Sequence, residues 1–137
     1  MVDGVLDGVS GALMTEFPDY AVYGDERVRQ GLATPSFFVG LGECVTAPLP
    51  MGLRRVRQVV EVVYFPERQG DYTELWAVGP RALTCMEQIM LSDGSMLRGT
   101  GLRCFIQDGV MHIQAVFTMR LRPVEQRNLM GELTIRQ

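Results

Sequence analysis

From Val5 to Phe17 the apolar residues Val5, Leu6, Val9, Ala12, Leu13 and Phe17 return every three or four positions, the spacing of one buried helix stripe. Asp3 is the candidate N-cap and Pro18 the stop. Gly4, Gly8 and Gly11 weaken this helix by up to ~1 kcal/mol each relative to Ala. A short strand over Tyr20 to Tyr23 follows, then the polar stretch GDERVRQGLATP. The run Ser36 to Thr46 changes period: Phe37, Val39, Leu41 and Val45 alternate with their neighbours, which predicts a half-buried strand. The loop APLPMGL turns the chain into RRVRQVVEVVYF, a β-branched strand from Arg54 to Phe65 that Pro66 ends.

A second helix is predicted around GDYTELWAVGPRALTCMEQI. Asp71 and Glu74 have capping-box spacing, and Leu75, Val78, Ala82, Met86 and Ile89 form one apolar stripe. Pro80 falls inside that pattern and is expected to kink the helix or split it near Gly79, because proline removes a backbone donor. Asp108-Gly109 is a two-residue hairpin signal between two β runs. It sets Gln107 opposite Val110, and by continuation Ile106 opposite Met111, Cys104 opposite Ile113, Leu102 opposite Ala115 and Thr100 opposite Phe117. All four inner pairs then share one face.

The element order is α-β-β-β-α-β-β, an α+β fold with one mixed or antiparallel sheet and two helices packed on one face. Residues 1–122 form this single domain and residues 123–137 a C-terminal tail. Two helices about ten ångströms apart cover roughly one face of a four- or five-stranded sheet. The other face should then be polar, yet it receives Phe38, either Val59, Val63 and Phe65 or their alternates, and Phe105 with Val110. Two explanations stand: the sheet curls and is covered by a loop and the tail, which carries Leu129, Met130, Leu133 and Ile135, or another subunit covers it.

Composition narrows the chemistry. All thirteen basic residues are Arg, and His112 is the only histidine. Lysine-dependent phosphate loops, Schiff-base chemistry and multi-histidine metal sites therefore have no residues to use. No catalytic residue, cofactor or metal site is expected. A net charge of −3 argues against a dedicated nucleic-acid binder. Cys44, Cys85 and Cys104 have neither metal-ligand nor redox spacing and read as small core residues of a reducing compartment. The opening MVDGVLDG lacks the positive charge and apolar run of a signal peptide, and no segment reaches the ~20 apolar residues of a membrane span. The expected setting is cytoplasmic, without a membrane partner.

Short glycine patterns, Gly40-Leu-Gly42 and Arg98-Gly-Thr-Gly101, do not open a helix after a strand and carry no dinucleotide fingerprint. Asp19, Asp25 and Glu26 are close in sequence and read as solvated carboxylates. His112 lies across from Phe105, on the face away from the hairpin's core set, as an exposed or interfacial aromatic. Arg54, Arg55 and Arg57 are the densest basic cluster, beside the loop of residues 47–53 with Pro48 and Pro50. That cluster is either a solvated strand end or a contact for an acidic partner or a passing nucleic-acid backbone.

The stretch YGDERVRQGLATPSFFV, residues 23–39, resembles a pattern in small tail terminator proteins of tailed bacteriophages and prophages. Tyr23, Gly24, Asp25, Gln30, Gly31, Pro35, Phe37 and Phe38 carry the resemblance. The strand ending Tyr64-Phe65-Pro66 and the hairpin LRGTGLRCFIQDGVMHIQAVFTMRLR are similar to family segments in the same order, so that it covers roughly residues 5–122. The chain departs from the pattern in lacking Lys and in carrying Pro80. The resemblance implies a structural protein of the virion tail, assembled in the host bacterial cytoplasm. It implies a ring, commonly of six subunits, that caps the tail tube, stops its polymerisation and offers a surface for head joining. The implied partners are further copies of the chain, the tail tube protein and a head-completion or connector protein, with transient contact to passing DNA. Phe38, Phe105, His112, Arg54, Arg55, Arg57, Pro48 and Pro50 are the candidate interface residues. A head-tail connector role, or from another class a small ligand-binding or enzymatic α+β domain, remains the alternative.

Overall fold

A computed structural model describes residues 2–24 and 34–122. Two helices, α1 (Val2–Glu16) and α2 (Tyr72–Cys85), accompany six strands: β1 (Ala21–Tyr23), β2 (Ser36–Pro48), β3 (Arg54–Phe65), β4 (Gln88–Met90), β5 (Met96–Gln107) and β6 (Val110–Leu121). The strands form one sheet in the order β1-β2-β3-β6-β5-β4. The β1–β2 pair is parallel and the other pairs are antiparallel, giving the expected α+β fold.

Both helices lie on one face. Val5, Val9, Leu13 and Phe17 from α1, and Leu75, Val78 and Ala82 from α2, join Phe37, Val60, Val62, Tyr64, Ile113, Ala115 and Phe117 in one buried core. Phe17, Tyr20, Phe37 and Tyr64 pack ring against ring where α1 meets β2 and β3. The buried set of β3 settles its orientation: Val56, Gln58, Val60, Val62 and Tyr64 face the helices, leaving Val59, Val63 and Phe65 on the open side.

Local details differ from the sequence pattern for identifiable reasons. The first helix begins at Val2, so Asp3 lies within its first turn and is not the N-cap. The second helix runs unbroken through Pro80. Its Gly79 lies so close to β6 that an added Cβ would come within 2.8 Å of Met111 Cε, and this packing holds the segment helical despite the missing donor. Asp71 caps the helix by accepting from the Glu74 N–H at 3.1 Å. The Glu74 carboxylate does not close a capping box; it accepts from Tyr64 Oη at 2.5 Å and from the Glu67 N–H at 2.8 Å. Met86 is the C-cap, and Ile89 belongs to the additional short strand β4, although both remain buried in the core.

Two bulges alter the registers. In β5 the expected pairing holds from Gln107↔Val110 to Arg103↔Gln114 and then shifts, so Thr100 faces Val116 and Gly99 faces Phe117. The expected Leu102–Ala115 and Thr100–Phe117 pairs are therefore not formed. Gly101 permits the extra residue by adopting φ +56°, a conformation that costs other residues strain. The shift also places Gly99 against the helical layer, where a Cβ would collide with the Met86 carbonyl. In β2 the register shifts between Leu41 and Cys44. Val45 thereby falls opposite Arg57 on the open side, 45% exposed, and Leu41 is 37% exposed, so neither belongs to the core. Gln58, itself buried, donates to the carbonyls of Gly42 and Glu43 at 3.2 and 3.3 Å and so supplies the bulge with hydrogen bonds.

The tail of residues 123–137, and the positions Asp25, Glu26, Gln30 and Gly31, lie outside the described residues.

Candidate functional site

Among the described residues no helix covers the second face of the sheet, and strand registers organise that face into bands. Phe38 on β2 pairs with Val63 on β3, Val63 with His112 on β6, and His112 with Phe105 on β5. These four half-buried residues form one row perpendicular to the strands, spanning roughly 14 Å at the spacing of adjacent strands. Phe38 has aromatic neighbours on both sides, Tyr23 at 5.1 Å and Phe65 at 5.4 Å between ring centroids. At the other end the Phe105 and His112 rings stack at 5.1 Å with only 10° between their planes. Arg103 places its guanidinium 5.1 Å from the Phe105 ring centre.

The next row is polar. Gly40, Glu61, Gln114 and Arg103 succeed one another across the same four strands, and Gln114 donates to Glu61 at 3.3 Å. Beyond it come Val59, Val116 and Thr100, then a basic end. There Arg57 lies between Val45 and Thr118, and Arg55 lies between Ala47 and Arg120. Arg98, two residues before Thr100 on β5, shares this face by strand alternation. Among the described residues the one ion pair is Arg81 with Glu16, on the helical side, so none of their carboxylates pairs with the basic end.

The candidate interface residues divide by face. Phe38, His112 and Phe105 occur together in the aromatic row, and Arg55 and Arg57 share the basic end. Arg54 does not join them, because strand alternation turns it to the opposite side of β3. Pro48 ends β2, and Pro50 begins a single 3₁₀ turn, Pro50–Gly52, at the hairpin tip. Sequence spacing did not disclose Arg120 and Arg98, because only cross-strand registers bring them to Arg55 and Arg57. It also did not mark Met51, which tops the tip at 87% exposure with φ +67°.

The ionisable groups moved from their ordinary behaviour lie mainly away from this face. Burial, then the hydrogen bond to the Glu74 carboxylate, holds the Tyr64 phenol well above the usual tyrosine range. Burial, with the Glu16 carboxylate adding to it, pushes the Cys85 thiol up to about 11. Both effects favour the uncharged form and belong to packing rather than reactivity. Among the described residues no three His, Cys, Asp or Glu side chains gather as a metal site, and no helix is long and apolar enough to cross a membrane. What the open face offers is a banded surface whose aromatic and arginine rows suit contact with another macromolecule.

The family model described as "Phage tail terminator protein" matches residues 4–128. No curated protein matches the chain.

Proposed function

The chain belongs to the phage tail terminator family, and from that membership we propose that it closes into a ring on the last ring of the tail tube, stops tube polymerisation and presents the surface to which the head joins. The coarser role, a structural component of the phage tail, follows from the family itself.

The observation that carries the finer reading is the row Phe38–Val63–His112–Phe105 on the face without helices. A lone subunit leaves this apolar row partly in water. Complete burial of a Phe side chain contributes roughly 1.5–3 kcal/mol, and these half-buried rings have part of that still to gain from a neighbouring subunit, before the entropy of association is subtracted. A ring subunit needs two different side surfaces and two end surfaces, and no catalytic constellation. The basic end suits an acidic surface of the tube or head-completion protein, or the backbone of passing DNA.

Deletion of the gene tests the role. Phage lacking the protein should build tails of abnormal length that fail to join heads, and complementation should restore both. Tails of uniform normal length that join heads in its absence would eliminate the terminator role.

A further inference from the structure

The tip of the β2–β3 hairpin is a preformed apolar knob. The Leu49 N–H donates to the Leu53 carbonyl at 2.8 Å and closes the loop, while Pro48 and Pro50 each fix one backbone angle. Pro50 and Met51 are thus held outward, with Leu49 and Leu53 half-buried, and little freedom is left to lose on docking. Met51 projects furthest, and its flexible thioether adapts to an irregular cavity.

A matching hollow lies at the far edge of the sheet. Helix α1 crosses β4 so closely at Gly8 that an added Cβ would meet the Met90 carbonyl at 3.0 Å. One turn on, Gly11 has nothing within 4 Å of the same position, and an open groove of about 460 Å³ begins. Gly11, Ala12, Ile89, Met90 and Met96 line it, and Met90 and Met96 are 61% and 48% exposed. Asp7 stands at its wall and has no ion pair among the described residues. The bases at the hairpin tip, Arg54 and Arg55, likewise lack an acidic partner among the described residues.

We propose that the β2–β3 tip of one subunit seats in the α1–β4 groove of a second copy of this chain, with Met51 as the plug and Gly11 as the notch that receives it. The inference rests on the ring reading and assigns its side contact. Three observations select a second copy as the occupant. The knob is apolar and the groove mainly so, with Thr15, Glu16 and Gln88 also in its wall. Glu16 is taken up by Arg81, and the charges left flanking knob and groove among the described residues are opposite, arginine at the tip and Asp7 at the groove. They also belong to opposite edges of the sheet, since β1 covers only Ser36 to Phe38 of β2 and β4 ends the other side. A contact between unlike patches on opposite edges is heterologous, and repeated by rotation it closes a ring.

Disulfide trapping tests the contact. In a Cys44→Ser, Cys85→Ser background, Met51→Cys and Gly11→Cys are introduced singly and together. Both positions are open, so neither change disturbs packing. Mild oxidation of the doubly substituted protein, free or on tail tubes, should give a reducible ladder of covalent oligomers that neither single variant gives. Met51→Asp should weaken ring assembly about tenfold or more, and Met51→Leu should preserve it. Covalent dimers from Met51→Cys alone, with nothing larger, would show tip meeting tip and overturn the proposal. Rings detected by light scattering or microscopy that yield no ladder would overturn it while leaving the ring intact. No ring under either condition would overturn the ring reading and this contact together.

Discussion

Arg55 on β3 stands directly opposite Arg120 on β6, on the sheet face that carries no helix. Like charges opposed across an antiparallel pair cost stability, by about 0.2–1 kcal/mol, and nothing acidic among the described residues relieves the pair. Arg120→Glu should therefore stabilise the isolated subunit by about that amount, raising its melting temperature by a few degrees at most. It should at the same time weaken attachment to the tube or head, most at low salt, where surface charges are least screened. Thermal melts and a salt series of the attachment assay measure the two effects. Lower stability with unchanged attachment would show that the pair serves the fold.

Phe105 presents a half-buried ring beside His112 and Arg103. Phe105→Asp should leave the folded subunit intact, because the residue lies outside the buried core, yet should shift rings toward smaller species. Sedimentation velocity with circular dichroism separates these outcomes. Loss of the folded signal would place Phe105 among the residues the fold itself requires.

Tyr64 is fully buried and donates to Glu74. Tyr64→Phe should cost about 1–3 kcal/mol, as expected for losing a hydrogen bond to a charged group. The pH dependence has a definite sign. Because the folded phenol titrates above the unfolded one, its contribution is complete below about pH 10 and is lost as pH rises past that value. Urea midpoints should fall more steeply between about pH 10 and about pH 12 for the native sequence than for Tyr64→Phe. Parallel curves would assign the titration elsewhere.

Gln58 reaches from the buried face of β3 to the bulge of β2. Gln58→Leu keeps much of the volume and removes the donor, so it should destabilise by about 1–2 kcal/mol. Hydrogen exchange should show faster opening of the distal β2–β3 hairpin, including residues 41–47, with β5 and β6 unaffected. Uniform acceleration across the sheet would point to a general packing role.

The sequence by itself determined the two helices, five of the six strands, the Asp108-Gly109 turn and the fold class, because these depend on periodicity and local turn chemistry within one segment; β4, Gln88–Met90, read as the end of α2. It also placed Phe38, Phe105 and His112 off the core face, since alternation in each strand is a local property. Tertiary structure decided what depends on one element meeting another. Gly101 and the Leu41–Cys44 irregularity shifted registers that period-two reading continued straight, turning Val45 to the open side and setting Gly99 beneath the Met86 carbonyl. Packing against Met111 kept α2 whole through Pro80. The row from Phe38 to Phe105, the Arg55–Arg120 opposition and the α1–β4 groove exist only once strands distant in the chain are set side by side. Cross-strand neighbours are fixed by register and sheet order, and neither is written in the spacing of residues along a single strand.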